Sequence, residues 1–292
     1  MNQMRIFLSP STLLVALLGT GIVSESSTAE ARVFQNAAPR SVLDSSALSR
    51  PAFDPPVQIA QLGFSVRQSR PVRNRIGGIT RGGQACSLDG ATVVRLLPLV
   101  PPTDPTAAEQ GKINIEPTVS EQPMVFVYVP QTVARQAQFS VAIATDTPSG
   151  RTVEETLYEY RLPLPQQPSV IGIPLRPLDE GRLYRWVFQL QCDPTGDRSG
   201  DALTDGWLQR VAPNSSLSLR LNRATPQELP ALYARSGLWQ DTITSLGTLR
   251  AATPGDAALL ADWASLLTSI RLDDLANVPL LFPPVEYRSL QE

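Results

Sequence analysis

Between residues 86 and 212 apolar and polar side chains alternate with the two-residue period of strands. Residues 137–144 set Phe139, Val141 and Ile143 against Gln138, Ser140 and Ala142. Residues 154–162 set Thr156, Tyr158, Tyr160 and Leu162 against Leu157, Glu159 and Arg161. Residues 183–192 set Tyr184, Trp186, Phe188 and Leu190 against Arg185, Val187, Gln189 and Gln191. Apolar runs at 92–97, 124–129, 170–175 and 203–211 bring the set to about seven strands, separated by Pro, Gly and Asp. Pro174, inside the 170–175 run, points to an edge strand there. The pattern predicts β plus α: an immunoglobulin-like antiparallel β-sandwich over residues 81–212, with one face of each strand buried between two sheets.

After residue 213 the period lengthens. Residues 215–221 form a short candidate helix. Thr225, Pro226 and Glu228 read as N-cap, N1 and N3 of a second helix that stops at Gly237. Pro230 falls inside it and is expected to kink or shorten it. A third helix covers 239–252, with Ile243, Leu246 and Leu249 on one stripe. Asp256 caps a fourth over 257–270, with Leu259, Leu260, Trp263, Leu266 and Leu267 facing one way. Residues 273–278 suggest a further turn, and the tail from Pro279 looks irregular. Tyr233, Trp239, Leu246, Leu249 and Pro254 sit at tetratricopeptide-like offsets, with Thr242 in place of the usual small residue. About one and a half such repeats cover only one side of a core, so residues 213–292 are expected to dock on the sandwich. The four tryptophans, Trp186, Trp207, Trp239 and Trp263, all lie in amphipathic elements and read as core.

The N-terminus has the form of a secretory signal over residues 1–31. Arg5 precedes an apolar stretch at 6–23, and Ala29, Glu30 and Ala31 form an A-x-A cleavage site. Its unbroken apolar part, 13–23, is too short to span a bilayer. The expected location is extracytoplasmic: the periplasm, an outer-membrane association or the exterior. Residues 32–80 read as a flexible Arg/Pro/Gly-rich linker, with Arg67, Arg70, Arg73, Arg75 and Arg81 and no acid between Asp54 and Asp89.

Composition removes chemistry. Histidine is absent from the 292 residues, and Lys112 is the only lysine among 25 basic residues. No Ser-His-Asp triad, Cys-His nucleophile or histidine-ligated zinc is available. No glycine-rich phosphate loop occurs. The net charge of −2 gives no footprint for nucleic acid. No cofactor, no metal and no catalytic residue is expected. An even cysteine count in an exported chain predicts a Cys86–Cys192 disulfide stapling the start of the β region to its body. Asp193, Asp197 and Asp201 lie four apart but miss the calcium-loop template, and read as a turn network with Arg198 bridging two carboxylates. Glu154 and Glu155 are adjacent on a strand, point to opposite faces and cannot act as one acid/base pair. Asn214, Ser215 and Ser216 match a glycosylation sequon and read as a helix cap.

Three stretches are more specific. They are Cys192-Asp193-Pro194 with Asp197-Arg198-Ser199, Asp201 and Gly206-Trp207-Leu208-Gln209-Arg210; Val127-Tyr128-Val129-Pro130-Gln131-Thr132; and the Arg/Gly-rich approach to Cys86. Together they resemble the cyanobacterial family called domain of unknown function 928, over roughly residues 75–275. The resemblance implies a secreted cyanobacterial protein and carries no catalytic residue with it. The expected function is a non-enzymatic interaction scaffold of the cell envelope, partnered by another envelope protein. The alternative is a carboxylate-dependent hydrolase or carbohydrate-active accessory protein.

Overall fold

The two-residue alternation builds the long strands it predicts. A computed structural model describes residues 83–103, 113–147, 149, 152–193 and 195–288, all within the second of the chain's two compact units, Asp54–Glu292. The segments expected as a signal, 1–31, and as a linker, 32–80, lie outside the described residues. The strands are β1 (Leu97–Pro98), β2 (Glu116–Thr118), β3 (Met124–Val129), β4 (Gln136–Asp146), β5 (Thr152–Pro163), β6 (Ser169–Pro174), β7 (Leu183–Gln191), β8 (Leu203–Arg210), β9 (Leu280–Leu281) and β10 (Glu286–Arg288). One sheet has the order β10-β5-β4-β7-β8-β2, the other β1-β3-β6-β9. Val125, Val127, Ile171 and Ile173 of the smaller sheet share a cluster with Phe139, Tyr160, Trp186 and Phe188 of the larger. The two inner faces therefore make one core.

The wholly antiparallel expectation is corrected to two mixed sheets. β2 runs parallel to β8, and β9 runs parallel to β6. Both are segments of two or three residues laid along an existing edge, too short to carry a period of their own. β6 is not an edge strand, because β9 flanks Val170 and Ile171. Pro174 is its last residue, beyond the reach of β9, so the missing N–H removes no bond between them. The tail after Pro279 is not irregular: it supplies β9 and β10. The run 92–97 is strand only at its end, because the chain before it is pinned as a loop. Gly83 donates to Gly200 O, and Val94 donates back to Gly83 O, at 3.0 and 3.2 Å. Gly83 has φ +105°, and a Cβ there would collide with the Val94 carbonyl, so glycine is required.

The helices fall close to their predicted ranges: α1 (Ser215–Leu221), α2 (Leu229–Arg235), α3 (Trp239–Ala252) and α4 (Ala257–Ser269), followed by a 3₁₀ turn at Asp273–Leu275. Asn214 caps α1 by accepting from Leu217 N at 2.9 Å. Asp256 caps α4 by accepting from Ala258 N and Leu259 N. The second helix starts later than predicted. Glu228 reaches back to Thr225 N at 2.8 Å, as a capping box requires, but residues 226–228 form only a turn. Pro230 has no N–H to return to Pro226, so regular bonding begins with Leu232 N on Glu228 O. Gly237, at φ +72°, ends the helix with Gly237 N on Ala234 O and Leu238 N on Tyr233 O, a Schellman pair.

The helices cover the outer face of the four-stranded sheet. Trp239, Ile243, Leu246, Trp263 and Leu266 pack with Leu99, Phe126 and Val170 in one buried cluster. Leu260, expected on the buried stripe of α4, is exposed. All four tryptophans are buried. No helix among the described residues is long and apolar enough to cross a membrane.

Candidate interaction surface

Polar side chains fix α3 to the β body. Trp239 Nε1 donates to Leu99 O at 2.9 Å, Met124 N donates to Thr244 Oγ1 at 3.1 Å, and Gln240 Nε2 donates to Met124 O. The Asp241 carboxylate accepts from Thr118 Oγ1, Val119 N and Ser120 N at 3.0, 3.1 and 3.0 Å. These bonds close the β3 edge beyond the end of β1. Burial pushes the Asp241 pKa up to about 6 despite its three donors. Glu116, two residues before Thr118 and on the same face of β2, is 7% exposed. Burial alone pushes its pKa up to about 8. Sequence reasoning passed over both groups. The signal for Asp241 was an acid in the first turn of a helix. For Glu116 there was none, since a glutamate beside Pro117 does not read as an inward strand position.

The outer face of the six-stranded sheet carries no helix among the described residues. Strand register sets Arg161, Gln138 and Gln189 in one row, Glu159, Ser140, Val187 and Asp205 in the next, and Thr156, Ala142, Arg185 and Trp207 in a third. Small residues thus floor the centre, and long polar ones surround it. Gln138 Nε2 donates to Glu159 at 2.8 Å, and Gln191 Nε2 donates to Gln138 at 3.2 Å. Arg185 puts Nε and Nη2 on one oxygen of Asp205, each at 2.8 Å, and Nη1 on Glu154 at 3.0 Å. Its guanidinium also lies 5.7 Å from the Trp207 ring centroid. Burial lowers the Arg185 pKa, and the two carboxylates more than restore it.

At one end of this face the β4–β5 hairpin projects as an arm. The register passes from Val141 opposite Tyr158 to Ala142 opposite Thr156, so Leu157 is an extra residue at a bulge. From Val153 to Leu157 every residue is exposed, with Val153 at 52% and Leu157 at 42%. Glu154 and Glu155 lie between them. Thr156, expected on the buried face, is exposed because the extra residue at the bulge shifts its register and sets it opposite Ala142 on the outer face. An acid doublet inside a strand is the sequence signal for such an arm. Its side chains point to opposite faces, so both are solvated only where both faces are wet.

The opposite end is stapled. Cys86 and Cys192 form a disulfide with Cα atoms 4.9 Å apart and a separation of 106 positions in sequence. Val133 N and Thr132 Oγ1 both bind Cys86 O, tying the β3–β4 turn to the staple. The aspartates form the expected turn network. Asp193 binds Thr195 N, and Asp197 binds Ser199 N, which lowers its pKa. Asp201 accepts from Cys192 N, Gln189 Nε2 and Arg198 at 2.9, 3.0 and 3.2 Å. Arg198 pairs with this one carboxylate among the described residues, where bridging of two was expected. Cys86, Cys192 and Asp201 do converge, their ligand atoms within 4.8 Å of one another. Bonded sulfurs offer no thiolate, so the cluster is a staple with a carboxylate beside it.

A two-sheet body with helices on the outer face of the smaller sheet, and an outer face of the larger that is polar at its centre and buried around Ile113, Ala144 and Trp207, is thus the class of protein the chain defines. Residues 76–280 match the family model described as Domain of Unknown Function (DUF928), and the chain belongs to that family. No curated protein matches the chain.

Proposed function

We propose that the protein is a secreted, non-enzymatic interaction scaffold of the cell envelope, docking a partner protein on the β4–β5 arm and the adjoining open sheet. The observation that carries this is the run of five exposed residues from Val153 to Leu157 on a long strand. A strand edge with no neighbour among the described residues is a template for another chain. We read the two packed sheets as immunoglobulin-like and the α2–α3 hairpin as tetratricopeptide-like, both common frames for binding. Export is supported by the signal-like residues 1–31 and fits a disulfide, which persists in oxidising compartments. The family resemblance favours a cyanobacterial periplasm or outer surface.

The hydrolase alternative needs two carboxylates facing one substrate, about 5–9 Å apart. Glu154 and Asp205 are the outer-face candidates, and both are tied to Arg185. The test compares affinity capture from envelope extract by the wild-type chain and by Val153→Lys/Leu157→Lys. A partner retained by the first and lost by the second is the expected result. An identical captured set from both overturns the docking role of the arm.

A further inference from the structure

We propose that Cys86, Cys192 and Asp201 form a metal site that the disulfide keeps closed, and that the reduced chain binds one thiophilic divalent cation there, zinc above all. The ligand atoms of the three side chains lie within 4.8 Å of one another. Around a tetrahedral zinc, with bonds of about 2.3 Å to sulfur and 2.0–2.2 Å to oxygen, ligand atoms stand about 3.5–4 Å apart. Parting the two sulfurs to that spacing is the main movement required. The carboxylate is already oriented. Asp201 is 3% exposed, with Cys192 N on Oδ1 and Gln189 Nε2 on Oδ2. Outer bonds of this kind aim a ligating carboxylate. Among the described residues Oδ1 accepts from Cys192 N alone, which leaves it a lone pair for a cation.

The surroundings suit both the opening and the charge. Cys192 is 9% exposed and Cys86 fully buried, so a reductant meets Cys192 first. A thiolate of an attacking dithiol bonds to Cys192 Sγ, and the Cys86–Cys192 bond breaks with its electron pair left on Cys86 Sγ. Ala202 N donates to that sulfur at 3.3 Å, which favours it as the leaving thiolate. The second thiolate of the dithiol then attacks the mixed disulfide and frees Cys192. The dithiol departs as a disulfide, having given up the two electrons that the chain gained. The cation binds both sulfurs as thiolates, their protons pass to solvent, and a fourth position is left for water. Two thiolates and a carboxylate around a dication carry one net negative charge. Arg198, 3.2 Å from Asp201 Oδ2, balances it, so no buried charge stands uncompensated. The loop from Cys86 to Cys192 stays closed in either form, by a covalent clasp or by a coordinated one.

Zinc titration of the purified protein tests this, before and after reduction by a phosphine, which adds no competing thiol. The reduced chain is expected to take up one zinc, read against a chromophoric chelator, and the disulfide form none at the same concentration. Cadmium in place of zinc should give the ultraviolet charge-transfer band of thiolate ligation. Asp201→Asn keeps an acceptor for Cys192 N and is expected to weaken zinc about tenfold or more. Zinc should raise the thermal midpoint of the reduced chain and leave that of the disulfide form unchanged. Equal uptake by the two forms overturns the proposal. So does equal affinity of Asp201→Asn and wild type, which is what two cysteines of an unfolded chain would give. A reduced chain that unfolds without zinc must regain its near-ultraviolet circular dichroism when zinc is added, and failure to do so overturns the site as well. One zinc for two chains, with a dimer mass by light scattering, overturns a site within one chain.

Discussion

Replacing Glu116 by Gln should raise stability, and by more as the pH rises. The carboxyl sits on β2 beside Leu208, 7% exposed, and its pKa stands at about 8 against 4.5 for a solvated glutamate. Between those values the folded chain holds a proton that the unfolded chain has lost. Folded stability therefore falls as pH rises through this window. At about 1.4 kcal/mol per pKa unit, the loss reaches roughly 3 kcal/mol by pH 7 and about 5 kcal/mol once the group is ionised in both states. Asp241, at about 6 against 3.8, contributes a further fall of about 3 kcal/mol that is complete soon after pH 6. Glutamine keeps the shape and removes the titration at position 116. Urea unfolding at pH 4.5, 6, 7.5 and 8.5 is the assay. Wild-type stability should decline across the series. The variant should match it at pH 4.5, decline only to about pH 6, and lie about 3–5 kcal/mol above it at pH 8.5. Parallel curves for the two proteins from pH 6 to pH 8.5 would refute the reasoning, since burial would then not hold the proton on Glu116.

Trp263→Ala should cost about 3–5 kcal/mol in urea unfolding, because the fully buried ring meets the Phe126 ring edge-on at 6.0 Å and joins α4 to the sheet. A loss below about 1 kcal/mol would mean the helices do not share the core of the smaller sheet. Reducing the Cys86–Cys192 bond should lower stability by about 4–5 kcal/mol, since it closes a loop of over 100 residues. An unchanged melt after complete reduction, verified by thiol alkylation, would contradict that.

Period and capping chemistry explain why so much of the fold was legible. β4, β5 and β7 are long enough to repeat their alternation, and the buried residues of β7 follow it without exception. The helices carry their own signals: Asn214, Asp256 and Gly237 each perform the local bonding their residue type predicts. β2, β9 and β10 were illegible because segments of two or three residues have no period, and their pairing is decided by edges built elsewhere. The arm was half legible. Thr156, Tyr158 and Tyr160 read as one buried face, whereas the bulge at Leu157 swings Thr156 out of the core. No sequence rule places such a bulge, because it answers to the curvature of the sheet and not to its own side chains. The staple was legible from the even cysteine count together with the expectation of export. The grip of Asp241 on residues 118–120 was not, since it joins partners more than 120 positions apart.

The last two strands have a consequence for how the molecule is made. Residues 280–288 finish both sheets, with β9 closing one edge and β10 another. A nascent chain that has emerged only as far as Ile270 has two ragged sheets and a helix pair without its full floor. Contacts this distant in sequence form slowly, after a large loss of chain entropy. Both sheets are therefore completed only when residues 280–288 have joined them. Removing residues 280–288 would therefore strip one edge from each sheet at once, and the two layers stand or fall together.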